Sequence, residues 1–146
     1  VKTDYTAQKT ETKSEKENAI ELMNNQLSAS SRLQGIALAK KFPDTDPQMI
    51  RLLSEKAVTD ENTNVRLAAV DVLAEHSENP LINTKLQDIF LHQNDPMVQK
   101  ELITIFAGFP PAELNEKVNE KLLSLAKNPT TEAFVKDEAY AVLLEY

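Results

Sequence analysis

The side chains able to do chemistry are few and scattered. Only two histidines occur, His76 and His92, each near the end of a stretch of helical periodicity. Imidazolium is favoured near a helix C-terminus by the helix dipole, which is the plain structural reading of both. A nucleophile–base pair needs Ser, Thr or Cys beside a positioned base. A metal site needs more ligands than two histidines on different helices, and no HExxH spacing is present. The chain has no cysteine, so a disulfide framework and cysteine-ligated zinc are both excluded. Carboxylates cluster as Asp60 and Glu61, as Glu113, Glu116 and Glu120, and as Asp137 and Glu138. On helices of an acidic protein these read as solvated faces before they read as general acid–base pairs. Two glycines, Gly35 and Gly108, leave little room for a phosphate-cradling loop, and neither GxGxxG nor a Walker sequence occurs. Phe106, Phe109 and Phe134 have the flat faces that stack on bases, but their spacing fits core packing. No cofactor is implied.

The net charge of −7 argues against nucleic acid, which is bound by basic surfaces that displace counterions. It argues equally against docking on anionic lipid. No apolar run approaches the roughly 20 residues of a membrane span, so this segment makes no membrane contact of its own. The chain opens on Val1, which implies trimming or processing, with any anchor or targeting segment already removed.

A recurring helical phrase must position whatever function exists. It is clearest as Asn64-Val65-Arg66-Leu67-Ala68-Ala69-Val70-Asp71-Val72-Leu73. It begins earlier at Ser31-Arg32-Leu33 and returns at Val98-Gln99-Lys100 and Val135-Lys136-Asp137. Arg32, Arg66, Gln99 and Lys136 align at spacings of 34, 33 and 37 residues. A period in that range means stacked helix pairs in place of one central core. The four aligned residues form either a ligand-binding row or a ladder that hydrogen-bonds neighbouring turns and acidic caps such as Asp60 and Asp95. The ladder is the stronger reading, because nearest-neighbour stacking requires such links. Three residues on stand Gly35, Ala69, Leu102 and Ala139, mostly small, so that helices approach closely. Leu102 predicts looser or shifted packing in the third unit. Three further stand Leu38, Val72, Ile105 and Val142, predicted to face the core.

Local punctuation gives the elements. Residues 1–13 are polar and aperiodic and read as a flexible lead-in. Ser14 with Glu17 fits a capping box for a first helix over 15–28, which would cover one end of the stack. Helices follow over 30–42, from Asp46-Pro47 to about 60, over 64–76, from Asn79-Pro80 to about 93, over 97–107, over 111–127 and over 131–145. No period-two alternation is long enough for a strand. The prediction is an all-α domain over 14–146 with about eight helices.

The run from Asp60 through Leu73 resembles the HEAT-repeat signature: an acidic turn residue, then Val-Arg, a small residue and an aliphatic. The resemblance spans about 30–145 and weakens where Gln99 and Lys136 replace Arg. It implies an armadillo-like, short right-handed α-α superhelix, with units at 30–60, 62–93 and 95–128. The phrases "NVRLAAVDVL", "HQNDPMVQKELI" and "VKDEA" are also similar to the C-terminal HEAT region of membrane-anchored anti-sigma-factor-like proteins of Bacteroidetes. Those carry a zinc-finger segment and a transmembrane helix, neither of which is present here. That resemblance implies an extracytoplasmic, periplasmic regulatory domain; without it the expectation is a cytoplasmic HEAT adaptor.

In HEAT stacks the second helix of each pair lines the concave side. The expected partner-binding strip there comprises Arg51 and Glu55, then Thr84, Gln87 and Asp88, then Glu113, Glu116 and Glu120. The functional expectation is a non-enzymatic module that binds a protein partner. The rivals are an enzyme or enzyme subunit such as a HEAT-type lyase, which needs a pocket with convergent polar groups, and a nucleic-acid binder, which needs a basic groove.

Overall fold

The computed structural model describes residues 14–44 and 46–144; among these every regular element is helical. The expected lead-in at 1–13 lies outside the described residues. Eight α-helices follow in order: α1 Glu15–Met23, α2 Ala29–Leu38, α3 Pro47–Thr59, α4 Thr63–Ala74, α5 Pro80–Leu91, α6 Pro96–Ala107, α7 Glu116–Lys127 and α8 Ala133–Leu144. Two 3₁₀ turns, Ala39–Lys41 and Pro111–Glu113, join them. None of the described helices is long and apolar enough to cross a membrane.

Seven of the eight described helices start at a side-chain cap. The Ser14 hydroxyl accepts from the Glu17 amide at 3.1 Å, and the Ser28 hydroxyl from Ser31 at 3.0 Å. Asp46, Asn79 and Asp95 cap the helices that open on Pro47, Pro80 and Pro96, where a missing N–H removes nothing. Asn62 caps α4 and Asn115 caps α7 in the same way.

Three helices are shorter than their sequence pattern. α1 stops at Met23, not 28, because Asn24 and Asn25 end it in turn bonds; Leu27 is left 99% exposed. The α2 periodicity runs to 42, but its last turn tightens into the 3₁₀ segment before Pro43. The predicted helix over 111–127 is split. Pro110 and Pro111 carry no amide hydrogen, and Asn115 offers its side chain to the Val118 amide, so the true helix begins after Asn115.

The helices form two rows. α2, α4, α6 and α8 pack successively against one another, and α3, α5 and α7 do so less closely on the other side. The tightest pairs across the rows are α1 with α2, α3 with α4 and α7 with α8. α5 leans least on α6, the place where Leu102 stands among otherwise small residues. Leu102 is itself fully buried, and Phe90, Phe106 and Phe109 fill the space with ring centroids 5.4 and 5.5 Å apart. The core runs along the whole stack, from Ala19 and Met23 to Val135, Ala139 and Val142. Leu38 departs from expectation: it is 45% exposed, where Val72 and Val142 at the aligned positions are buried. α2 has no earlier helix of its row to cover that side.

Polar contacts repeat with the helices. Arg32 donates to the Gln26 carbonyl at 3.3 Å, Arg66 to the Asp60 carbonyl and Gln99 to the Gln93 carbonyl at 2.8 Å, each acceptor lying six residues earlier. The two arginines also reach forward. Arg32 forks onto the Asp60 carboxylate at 2.8 and 3.1 Å, both side chains buried, and Arg66 grips the Asp95 carboxylate. The Gln93 amide donates to the Ala57 carbonyl at 2.9 Å, and Lys121 donates to the Phe90 and Gln93 carbonyls. These bonds tie helix ends and turns of neighbouring units to one another through their carbonyls.

Candidate functional site

The loose seating of α5 on α6 leaves a cleft of about 870 Å³. One wall is the start of α5 with the residues before it: Ser77, Glu78, Pro80, Asn83, Thr84 and Gln87. The other is the connector from α6 to α7: Gly108, Phe109, Pro110, Glu113 and Asn115. The connector is long because two prolines prevent an immediate helix and Asn115 delays the next one.

Gln87 holds the walls together. Its amide donates to the Glu113 carbonyl at 2.9 Å and to Asn83 Oδ1 at 2.7 Å, while its oxygen accepts from the Asn115 amide at 2.8 Å. It is buried, and both ends of its amide are occupied. Gln87, expected in the exposed strip, is therefore a strut between units. Asn83 Nδ2 donates to Glu113 Oε2 at 3.2 Å, which ties that carboxylate to the opposite wall. The Thr84 hydroxyl donates to the Pro80 carbonyl at 3.0 Å, leaving its oxygen as an acceptor.

Three strip residues thus meet here: Thr84, Gln87 and Glu113. The rest do not. Arg51 and Glu55 lie on exposed parts of α3, and Glu55 borders a separate hollow of about 350 Å³ beside Arg32, Lys56 and Asp60. Asp88 is exposed and its carbonyl accepts from His92 at 2.9 Å. Glu116 and Glu120 are exposed on α7, outside the cleft. Glu78, Asn83 and Asn115 are not singled out by the sequence, and Phe109 stands there only as a core or stacking ring. Asn83, one helical turn before Gln87, was the available signal for a polar face on α5.

The cleft lining carries two carboxylates, Glu78 and Glu113, and no basic side chain. It combines negative charge, amide and hydroxyl groups, and the apolar surfaces of Phe109 and the prolines. His76, next to Ser77, is turned elsewhere: Nδ1 lies 2.7 Å from Asp44 and Nε2 2.8 Å from the Lys40 carbonyl. Burial alone would lower its pKa, but these two hydrogen bonds and the charges of Asp44 and Glu75 raise it. Among the described residues, no group of three or more acidic or histidine side chains is placed to hold a metal ion.

A second carboxylate contact lies on the other row. Burial, and then the charge and hydrogen bond of Glu101, push the Asp71 carboxyl up to about 6. The folded state therefore holds a proton between about pH 4 and 6 that the unfolded chain has lost, so stability falls as pH rises through that window. His76 acts in the same direction: its contribution is complete below its unfolded pKa and is lost as pH rises through the raised folded value. Asp71→Asn is expected to raise the melting temperature at pH 7.5 by only about 1–3 °C and to change it little at pH 4.5, because the Asp71 carboxyl is only partly desolvated and the side chain still opens to solvent that screens the repulsion. Thermal melts at both values check this; equal shifts at the two would refute the shared proton.

No family model matches this chain, and neither the curated proteins nor the solved structures provide a match.

Proposed function

We propose that the chain is a protein-interaction module, built as a short HEAT-like α-solenoid, which binds a partner segment in the cleft between α5 and the α6–α7 connector. The observation that carries this is the cleft itself, of about 870 Å³, with its walls fixed by Gln87 before any ligand arrives. Preorganised walls lower the ordering cost of binding. Glu78 and Glu113, with the Asn83 and Asn115 side chains and the Thr84 hydroxyl oxygen beside them, favour a peptide bearing a basic side chain, with Phe109 and Pro110 as its apolar contact.

The solenoid reading is supported by the repeated contacts. Arg32, Arg66 and Gln99 bond equivalent carbonyls, and the arginines join each unit to the next turn. Such a stack needs only neighbour contacts.

Two charge reversals separate the cleft from the α7 face. Glu78→Lys with Glu113→Lys is expected to weaken capture of a partner by at least about tenfold, which is 1.4 kcal/mol. Glu116→Lys with Glu120→Lys is expected to leave capture within about twofold, a difference near the rim-charge range. Affinity capture followed by titration reads both. The reverse pattern would move the site to the α7 face.

A further inference from the structure

The two histidines are bonded differently. His76 meets an acceptor at both ring nitrogens: an Asp44 carboxylate oxygen 2.7 Å from Nδ1 and the Lys40 carbonyl oxygen 2.8 Å from Nε2. A carbonyl oxygen never donates, and a carboxylate donates only when protonated. The bond from His76 holds the Asp44 carboxyl below its ordinary value, so it is an anion wherever imidazole titrates. A neutral imidazole carries one N–H, and either tautomer would turn a bare nitrogen lone pair toward an oxygen. Only the imidazolium serves both acceptors. His92 meets one acceptor, the Asp88 carbonyl of its own helix, and a neutral ring can serve that.

The place of the contact gives that proton a role. Lys40 and Asp44 stand between α2 and α3, and His76 stands in the turn between α4 and α5. The turn continues into Ser77 and Glu78, which wall the cleft, and into Asn79, which caps α5. Its amide bonds, from His76 to Leu73, Ser77 to Ala74 and Asn79 to His76, stay within the turn and the end of α4. The ties to the connector are the two ring bonds and a bond from Asn79 Nδ2 to Asp44 Oδ1, at 3.5 Å the limit of such a contact. The ring is largely enclosed, its side chain 17% exposed. The charged groups around it are Asp44 and Lys40 on the connector, Glu75 on its own helix and Glu78 just beyond. Lys40 shares the slot between α2 and α4 with Asp71 and Glu75. Asp46, at the start of α3, is paired with Lys16, and Lys41 with Glu15. Asp44 and Glu75 favour the charged ring.

We infer that His76 is a proton-operated latch: its charged ring fastens the turn that walls the cleft to the α2–α3 connector, and loss of one ring proton releases that turn. The latch is closed below the ordinary imidazole range and opens as pH rises through the elevated folded value. Its bearing on binding rests on the cleft being the partner site, where a fixed wall lowers the ordering cost. The latch itself is read with no partner present, so its failure and the failure of that reading are separate results.

NMR on the whole chain at about pH 6 and about pH 8.5, either side of the imidazole range, tests this. At the lower value, ring nitrogen shifts are expected to show protons on both nitrogens of His76; a ring in a single neutral tautomer there overturns the inference. Hydrogen-exchange protection of the Ser77 and Asn79 amides, corrected for the base-catalysed intrinsic rate, is expected to be several-fold higher at the lower pH. Protection that agrees within about twofold at the two values overturns the latch. Asp44→Asn separates the roles. An asparagine amide can donate to a bare Nδ1 or accept from a protonated one, so the turn is expected to stay protected at both pH values. A fall like that of the wild type in this variant overturns the part given to Asp44. His76→Phe, with its fold checked by circular dichroism, is expected to show low protection at both. High protection at both in that variant would mean that the ring bonds do not hold the turn, and overturns the inference.

Discussion

Replacing Arg32 by Ala is expected to lower the unfolding free energy by about 3–5 kcal/mol, the usual cost of leaving one member of a buried ion pair without the other. Arg32 and Asp60 are both almost fully enclosed, and the guanidinium forks onto the carboxylate at 2.8 and 3.1 Å. Asp60 also accepts from the Asn62 amide at 2.9 Å, so its carboxylate shapes the turn that begins α4. Without Arg32, a buried anion would remain in the seam between two units, and the Asn25 and Gln26 carbonyls would each lose a donor. The double variant Arg32→Ala with Asp60→Ala is expected to recover part of the loss, and the non-additivity measures the pair. Urea unfolding of the four proteins gives the cycle. Additive losses would mean that the two groups act independently and that the fork carries no coupling.

Gly35→Leu is expected to be as damaging, by a different cause. A Cβ built at Gly35 would lie 2.6 Å from the Met23 amide nitrogen and 2.7 Å from the Ala19 carbonyl oxygen. Both are backbone atoms, so no rotamer change relieves the contact; α1 itself must move from α2. Gly35→Ala already meets this clash and is expected to cost about 1–3 kcal/mol, as overpacking does. Leu adds volume that the seam cannot hold, and the expected result is detachment of α1. Limited proteolysis reads it directly: cleavage within 14–28 should rise sharply while α4 to α8 remain resistant. An unchanged digestion pattern in Gly35→Leu would show that α1 does not need the close approach.

How much of this was legible depended on how local the cause was. The cap-and-proline pairs at 46–47 and 79–80, and the Asp95-Pro96 pair ahead of the helix expected over 97–107, mark three helix starts, because capping involves only the next few residues. The aligned row of Arg32, Arg66 and Gln99 was legible because its acceptors lie a fixed six residues back. Leu38 was misplaced because its burial depends on an earlier helix of its row, and its own sequence resembles that of its buried counterparts. Gln87 read as a surface residue because Gln usually is one. Its burial follows from a connector some 26 residues on, which no local pattern announces. The helix expected over 111–127 is too long because Pro110-Pro111 reads as its start, whereas those residues open only a 3₁₀ turn and the Asn115 side chain caps the helix that follows. Asp71 sits inside the clearest copy of the phrase, yet its partner Glu101 is on the next helix of the row. The Thr104 to Glu138 contact at 3.4 Å joins α6 to α8 on the same diagonal, so the stagger, once known, points to both.

The recurring phrase is taken up by contacts within the fold. Arg32, Arg66 and Gln99 are engaged by turns and caps, and their hydrogen-bonding groups face the seams between units. What the phrase leaves free is the irregular connector after α6, where Gly108, Pro110 and Pro111 interrupt the repeat and the cleft forms. Binding residues concentrate on connectors held by a rigid scaffold.

The most direct measurement is a two-dimensional amide NMR titration of the isotope-labelled chain with the partner segment obtained by capture. The largest shifts are expected on Asn83, Thr84, Gly108, Phe109, Glu113 and Asn115, with the amides around Arg32 and Arg66 unmoved. Shifts centred on Glu116 and Glu120, or on the exposed face of α2 and α4, would contradict the cleft as the binding site.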